Sequence, residues 1–147
     1  MRARRVTPEA MFGEEDAVIL PRRKRSTRAP QPSEAQVENS IRSRLAFYGC
    51  LCQKNPNEAR SAAAGRALHI RGTILGFPDL TVIGPGGRTA YLEVKAPGAK
   101  PRNAKQRAHW ARQAEARATL ARMGHVVALV TSQDEAVAVL RDAGWVR

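Results

Sequence analysis

The feature of this sequence that most constrains its fold is a strand, a tight turn and a second strand between residues 79 and 95. The segments 79–83 and 89–95 are rich in β-branched and apolar residues, and residues 84–88 between them include three glycines and a proline. Strands that flank so short a glycine-rich connection pair with each other in antiparallel fashion. The sequence therefore predicts a β-hairpin.

A helix and a further strand are predicted after the hairpin. Asn103 can cap a helix that reaches Met123, Gly124 stops this helix, and residues 125–131 form an apolar run typical of a buried strand. A strand, a helix and a strand in this order form a parallel pair with a right-handed crossover. We therefore expect a mixed sheet.

Another helix is predicted before the hairpin. Ser33 and Gln36 fit a capping box for a helix over residues 34–48, which Gly49 ends, and residues 50–53 can form a short strand. The apolar residues of this segment follow helical spacing.

The remaining segments are a long insertion and a last helix. Residues 54–76 are polar and contain glycine, and a helix is predicted over residues 59–68. Ser132 to Glu135 form a second capping box, for a helix that Gly144 closes. The fold class is therefore α/β, with a mixed central sheet flanked by helices.

Positive charge dominates the chain, with 25 Lys and Arg against 13 Asp and Glu and a formal net charge of +12. Such a field attracts polyanions, nucleic acid foremost. No apolar run approaches the roughly 18–20 residues of a membrane helix, so we expect a soluble cytoplasmic protein without membrane contact. Residues 1–32 are basic and punctuated by proline, which predicts a flexible arm before one domain over residues 33–147.

The hairpin brings together three charged side chains. Folding about the turn puts Asp79 opposite Glu93, and the two-residue period of a strand puts Glu93 and Lys95 on one face. Two carboxylates this close repel each other and lose hydration. A hard divalent cation such as Mg²⁺ would compensate them, and Lys95 could orient a water or stabilise charge on a phosphate. The alternative is an exposed salt-bridged hairpin end, in which Glu93 pairs with Lys95 or Asp79 with Arg88.

These residues also lie in a specific pattern, Gly76-Phe77-Pro78-Asp79, thirteen residues, and then Glu93-Val94-Lys95-Ala96-Pro97-Gly98. The pattern resembles the signature of the PD-(D/E)XK nucleases, and within them that of the VRR-NUC family, over roughly residues 33–144. The resemblance implies a restriction-endonuclease-like fold with an αβββαβ core, a Mg²⁺ or Mn²⁺ cofactor and DNA as substrate. It further implies action on branched DNA, such as flaps or four-way junctions, in repair, recombination or phage DNA processing.

The resemblance also assigns roles to residues. Asp79 and Glu93 would be metal ligands, together with the backbone carbonyl of Val94. Lys95 would be the catalytic lysine.

A glutamate of the first helix is expected to be a further metal ligand. Glu34 and Glu38 are four residues apart and therefore lie on the same face of that helix. Glu38 is favoured because its spacing to Gly49 looks most like that of the family, and Glu34 is the alternative.

A glutamine early in the next helix completes the family pattern. Gln106 fits when counted from Glu93, although it could also complete the cap formed by Asn103. Gln113 fits better when counted backwards from Gly124, and seven residues, about two helical turns, separate the two glutamines. Gln106 is favoured and Gln113 remains the alternative.

The same helix and the loop before it are strongly basic. Cations here outnumber anions, which suggests contacts with DNA phosphates, whereas a solvated helix face is the alternative. The predicted DNA-binding residues are Lys100, Arg102, Lys105, Arg107 and Arg112.

Three functional hypotheses follow from these observations. The first is a divalent-metal-dependent DNA endonuclease, and the resemblance adds the expectation of a homodimer. The second is a basic DNA-binding module that has the same fold but does not cleave. The third is a sequence-specific restriction-type nuclease, which is less favoured because no separate recognition domain is evident in a chain of this length.

Overall fold

The computed structural model describes residues 29–56 and 74–146. This part of the chain contains three α-helices, four strands and a short 3-10 turn, Pro85–Gly87. In chain order the elements are α1 (Glu34–Phe47), β1 (Leu51–Lys54), β2 (Leu80–Ile83), β3 (Thr89–Val94), α2 (Ala104–Arg122), β4 (Val126–Val130) and α3 (Gln133–Asp142). The predicted arm, apart from its last residues, and the predicted helix over residues 59–68 lie outside the described residues.

The four strands form one mixed sheet in the order β1-β2-β3-β4. β1 pairs with β2 and β2 with β3 in antiparallel fashion, whereas β3 and β4 are parallel. The predicted hairpin and the parallel pair across α2 are therefore confirmed. β1 and β3 both run opposite to β2. The C-terminal ends of β1 and β3 and the N-terminal end of β2 therefore lie at the same end of the sheet.

The two faces of the sheet differ in what covers them. On one face, Leu80, Leu92 and Val94 join the main core cluster, to which α1 and α3 contribute Ile41 and Leu140, both fully buried. The alternate residues of β3 point to the opposite face, where α2 lies. The fold therefore puts the hydrophobic core on one side of β3 and leaves the other side for polar chemistry.

Side-chain caps start the helices. Ser33 and Gln36 form both arms of the predicted capping box of α1. The second box forms only in part, because Ser132 accepts a hydrogen bond from the Glu135 backbone N–H, at 3.1 Å, but the Glu135 carboxylate accepts one from the Thr131 N–H, at 2.6 Å. Glu135 therefore reaches one residue beyond the cap. Within the described residues, no helix combines the length and the apolar character that a membrane span requires.

Candidate active site

Asp79 and Glu93 meet at the open end of the hairpin. The β2–β3 pairing aligns Leu80 with Leu92, so that the next pair of positions is Asp79 and Glu93. The Asp79 Oδ2 accepts a hydrogen bond of 2.9 Å from the Val94 N–H. The predicted register is therefore confirmed, and the Asp79 carboxylate is fixed against β3.

The chain before Asp79 packs closely on α2. Gly76 has a φ of +80°, and a Cβ at this position would lie 3.0 Å from the backbone carbonyl carbon of Arg112. Both the left-handed conformation and the close approach require glycine. Pro78, one residue before Asp79, is fully buried. The close packing of Gly76 and the burial of Pro78 thus fix the position of the loop that precedes Asp79.

Glu93 is a fully buried carboxylate with an unusual environment. Its Oε1 lies 2.7 Å from the Lys95 Nζ and accepts a hydrogen bond from the Gln113 side chain. Its Oε2 is buried and has no hydrogen-bond partner among the described residues. Burial, and then the charge of Asp79, raise the pKa of Glu93 to about 7, although Lys95 and Arg117 oppose this rise.

Lys95 is buried between the sheet and α2. Besides Glu93, its Nζ approaches Glu34 Oε1 at 3.8 Å and lies 5.9 Å from the centre of the Trp110 ring. Burial favours the neutral amine, but the hydrogen bond and charge of Glu93, with the charges of Asp79 and Glu34, outweigh it and raise the pKa of Lys95. Lys95 is therefore a fixed cation. The alternative of an exposed salt bridge does not describe this site, because Glu93 and Lys95 are both buried.

The two candidate glutamates of α1 have different partners. Glu38 is buried, and its Oε2 lies 2.6 Å from the Nζ of Lys54, at the end of β1. Glu34 is exposed and approaches Lys95. Both side chains therefore point to the end of the sheet that carries Asp79, and each has a lysine partner there.

The two candidate glutamines have clearly different positions. Gln113 is buried at 2% exposure and donates its hydrogen bond to Glu93. Gln106, the residue favoured from the sequence, is exposed and lies in the cap of α2, where its N–H donates to Asn103 and its Oε1 accepts from the Arg102 N–H. The structure therefore places Gln113, and not Gln106, at the acidic cluster that Asp79 and Glu93 form. The reason is that α2 begins two turns before it reaches Glu93.

A divalent cation fits the acidic cluster in two respects. The unpartnered Oε2 of Glu93 is an orphaned acceptor in a buried position, and the neighbouring Asp79 raises the pKa of Glu93. Across residues 29–56 and 74–146, no three His, Cys, Asp or Glu side chains stand close enough together to hold a metal ion. Mg²⁺ is commonly held by one or two carboxylates, with water and substrate phosphate as its other ligands. Asp79, Glu93 and the Val94 carbonyl would thus suit a cation whose remaining ligands are water and substrate phosphate.

The predicted DNA-binding side chains lie on the surface. All five are exposed, on the loop before α2 and on α2 itself, namely Lys100, Arg102, Lys105, Arg107 and Arg112. The backbone of Arg112 lies against Gly76, three residues before Asp79, so α2 carries this basic surface past the chain that leads to Asp79.

An apolar groove of about 400 Å³ lies beside the acidic cluster. Its apolar walls come from the segment before β2 and from the second half of α2, and they include Ile74, Leu75, Phe77, Leu120 and Met123. Neither acidic residue of the hairpin lines this groove. The groove is therefore separate from the site that the charged residues form.

Two residues near the acidic cluster were not predicted from the sequence. The Trp110 ring faces the Lys95 ammonium, and Trp110 lies three residues before Gln113 and thus on the same side of α2. Asn55 binds the segment around Asp79 through the Pro78 and Asp79 carbonyls and the Thr81 hydroxyl, and all three partners are far along the chain.

Comparison with known proteins supports the fold. A solved structure of a VRR_NUC domain matches this chain with a TM-score of 0.50 and 24% sequence identity, and the match covers 74% of this chain and 94% of that domain. No protein-family model matches the sequence, and no curated protein matches it significantly. The resemblance inferred from the motifs is therefore confirmed as a VRR-NUC fold, and the helix-flanked mixed sheet agrees with a restriction-endonuclease-like architecture.

Proposed function

We propose that this protein is a divalent-metal-dependent DNA endonuclease, and that Asp79, Glu93 and Lys95 form its active site. The observation that carries the proposal is the buried Glu93, which has one oxygen on Lys95 and the other, beside Asp79, without a partner in the described part of the chain. A buried carboxylate with an orphaned oxygen is costly for folding alone. The arrangement is therefore better explained by a ligand than by stability.

Each residue of the site has a chemical task in phosphodiester hydrolysis. When bound, Mg²⁺ or Mn²⁺ would supply Lewis-acid activation of a water and of the phosphate. Asp79, Glu93 and the Val94 carbonyl would hold the ion, and Glu38 or Glu34 would become a further ligand only on moving from its lysine partner toward them. Lys95 stays charged and stabilises negative charge on the phosphate or orients the attacking water.

Gln113 and Trp110 support these groups. The Gln113 amide donates to Glu93 Oε1, which fixes the orientation of the carboxylate. The Trp110 ring faces the ammonium of Lys95 at cation–π distance, 5.9 Å from Nζ to the ring centre, which favours the charged amine. Both side chains come from α2, so this helix contributes to the site from above the sheet.

DNA is the substrate that agrees best with the charge distribution. The chain has a formal net charge of +12, and the loop before α2 and α2 itself carry exposed cations, among them Lys105, Arg107 and Arg112. Such cations bind phosphates without reading the base sequence. This favours recognition of DNA shape over sequence, and we propose flaps or four-way junctions as substrates, with a role in DNA repair, recombination or phage DNA processing. We also propose a homodimer, in which two sites address two strands; sedimentation that finds only monomer would exclude it.

Cleavage assays on a substrate panel test the proposed function. Linear duplex, flap and four-way junction DNA are incubated with wild type, Asp79→Ala and the control Asp142→Ala, each with Mg²⁺ or with chelator. Asp142 is exposed at the end of α3, and its replacement by alanine removes the same charge as Asp79→Ala. Wild type and the control should cut branched DNA only with Mg²⁺, whereas Asp79→Ala should bind DNA without cutting it. An Asp79→Ala variant as active as wild type would refute the proposal.

The second candidate function is a DNA-binding module that does not cleave. Its support is that Glu38, a candidate ligand, is already neutralised by Lys54 at 2.6 Å. Binding of every substrate without cleavage at any metal concentration would favour this module. Cleavage of linear DNA at one sequence would instead indicate a restriction-type nuclease.

A further inference from the structure

Asn55 lies directly after β1 and contacts the chain on both sides of the Asp79 side chain. Its backbone N–H donates to the Asp79 carbonyl at 2.8 Å, which extends the β1–β2 pairing by one residue. Its side-chain Nδ2 donates to the Pro78 carbonyl, also at 2.8 Å. Asn55 therefore binds the carbonyl oxygens of the two peptide groups that flank Asp79.

A third contact fixes the Asn55 side chain itself. The Asn55 amide and the Thr81 hydroxyl are hydrogen-bonded, with an Nδ2–Oγ1 distance of 3.0 Å. Both residues are half-buried. The amide is thus held in one orientation, with its nitrogen toward Pro78, and not left to rotate in solvent.

These contacts complete a frame around Asp79. On the β3 side, the Val94 N–H donates to the Asp79 carboxylate at 2.9 Å, and on the β1 side Asn55 holds the backbone. The aspartate side chain has only two torsions, and the backbone conformation limits the rotamers that it can adopt. With its carboxylate bound by the Val94 N–H and its flanking peptides held by Asn55, Asp79 has one favoured direction.

We propose that Asn55 is a positioning residue that aims the Asp79 carboxylate toward Glu93 and so sets the affinity of the site for a divalent cation. The inference rests on the proposed function, since it needs Asp79 to be a metal ligand. Residues that orient metal ligands through hydrogen bonds contribute about 10- to 100-fold to metal affinity. Removing the Asn55 side chain should weaken metal binding by a factor in that range.

Calorimetric titration with Mn²⁺ tests this role, together with urea unfolding in chelator. The variants are Asn55→Ala and Thr81→Val, and Val139→Ala is the control, since Val139 packs against the core from α3 on the other face of the sheet. Asn55→Ala should weaken Mn²⁺ binding by about tenfold or more. Thr81→Val removes one neutral hydrogen bond and should weaken it by about fivefold. The control should lose stability and keep the Mn²⁺ affinity of wild type.

The outcomes separate this inference from the proposed function. If wild type binds Mn²⁺ and a folded Asn55→Ala binds it equally well, the positioning role is wrong while the nuclease proposal stands. If Asn55→Ala does not fold, Thr81→Val decides, and wild-type affinity in that variant overturns the inference. If wild type itself binds no Mn²⁺, both proposals fail.

Discussion

Two lysine–glutamate pairs lie at the same end of the sheet and differ in how deeply they are buried. The Glu93–Lys95 pair, at 2.7 Å, has side chains that are 0% and 7% exposed. The Glu38–Lys54 pair, at 2.6 Å, joins a 9% exposed glutamate to a lysine that is 61% exposed. The first lysine is enclosed by β3 and α2, whereas the second reaches its partner from solvent. Lys95 is therefore a buried part of the site, whereas the Lys54 side chain stays largely in contact with solvent.

The largest expected effect is on stability when each lysine is replaced by methionine, which keeps the length but removes the charge. Lys95→Met leaves Glu93 in the interior without its cation and should lower the free energy of unfolding by about 4 kcal/mol. Lys54→Met affects a pair whose lysine is mostly in water, and should cost about 1 kcal/mol or less. Urea unfolding in chelator at pH 8 measures both values. Equal losses would contradict the distinction between the two pairs.

The pH dependence of stability isolates the Glu93 side of the buried pair. The folded pKa of Glu93, about 7, is above its ordinary value of 4.5, so its ionisation opposes folding. The stability contributed by protonated Glu93 is fully present below pH 4.5 and is lost as the pH rises through about 7. This loss amounts to at most roughly 3 kcal/mol.

Glu93→Gln is the matched control for that measurement, since glutamine does not titrate. In chelator, the variant should lack this fall in stability between pH 5 and pH 8, and wild type should show it. Identical pH profiles for the two proteins would show that Glu93 ionises as it does in the unfolded chain.

The two glutamines of α2 offer a smaller and equally specific contrast. Gln113→Leu removes the donor to the charged Glu93 and should slow Mg²⁺-dependent cleavage by about tenfold or more, since hydrogen bonds to charged groups are worth about 1.5–3 kcal/mol. Gln106→Leu changes an exposed side chain at the helix cap and should leave the rate close to that of wild type. Single-turnover kinetics on one branched substrate compares them. A slower Gln106→Leu with an unaffected Gln113→Leu would restore the order favoured from the sequence.

Much of the fold and the centre of the site could be predicted because the signals are local. The turn at residues 84–88 fixes the hairpin register, and that register alone brings Asp79 to Glu93. The two-residue period then puts Lys95 on the same face. Each of these steps needs only neighbouring residues and one tight turn.

The remaining features depend on tertiary contacts that the sequence does not encode locally. Gln106 and Gln113 satisfy the same helical spacing, and only the place where α2 crosses β3 selects Gln113. Glu34 and Glu38 also share one helix face, and only tertiary contacts distinguish them: Glu34 approaches Lys95, directly after β3, and Glu38 pairs with Lys54 of β1. The role of Asn55 was missed because its side chain binds a backbone carbonyl 23 residues away.

The most direct test of the central claim is the position of Mn²⁺ in crystals of wild type and of Asp79→Asn, located by anomalous scattering. The wild-type crystals should show one strong peak within coordination distance of Asp79, Glu93 and the Val94 carbonyl oxygen, and the variant should lose it. A cleaving wild-type enzyme with no peak at these residues, or with its peak elsewhere, would contradict the account.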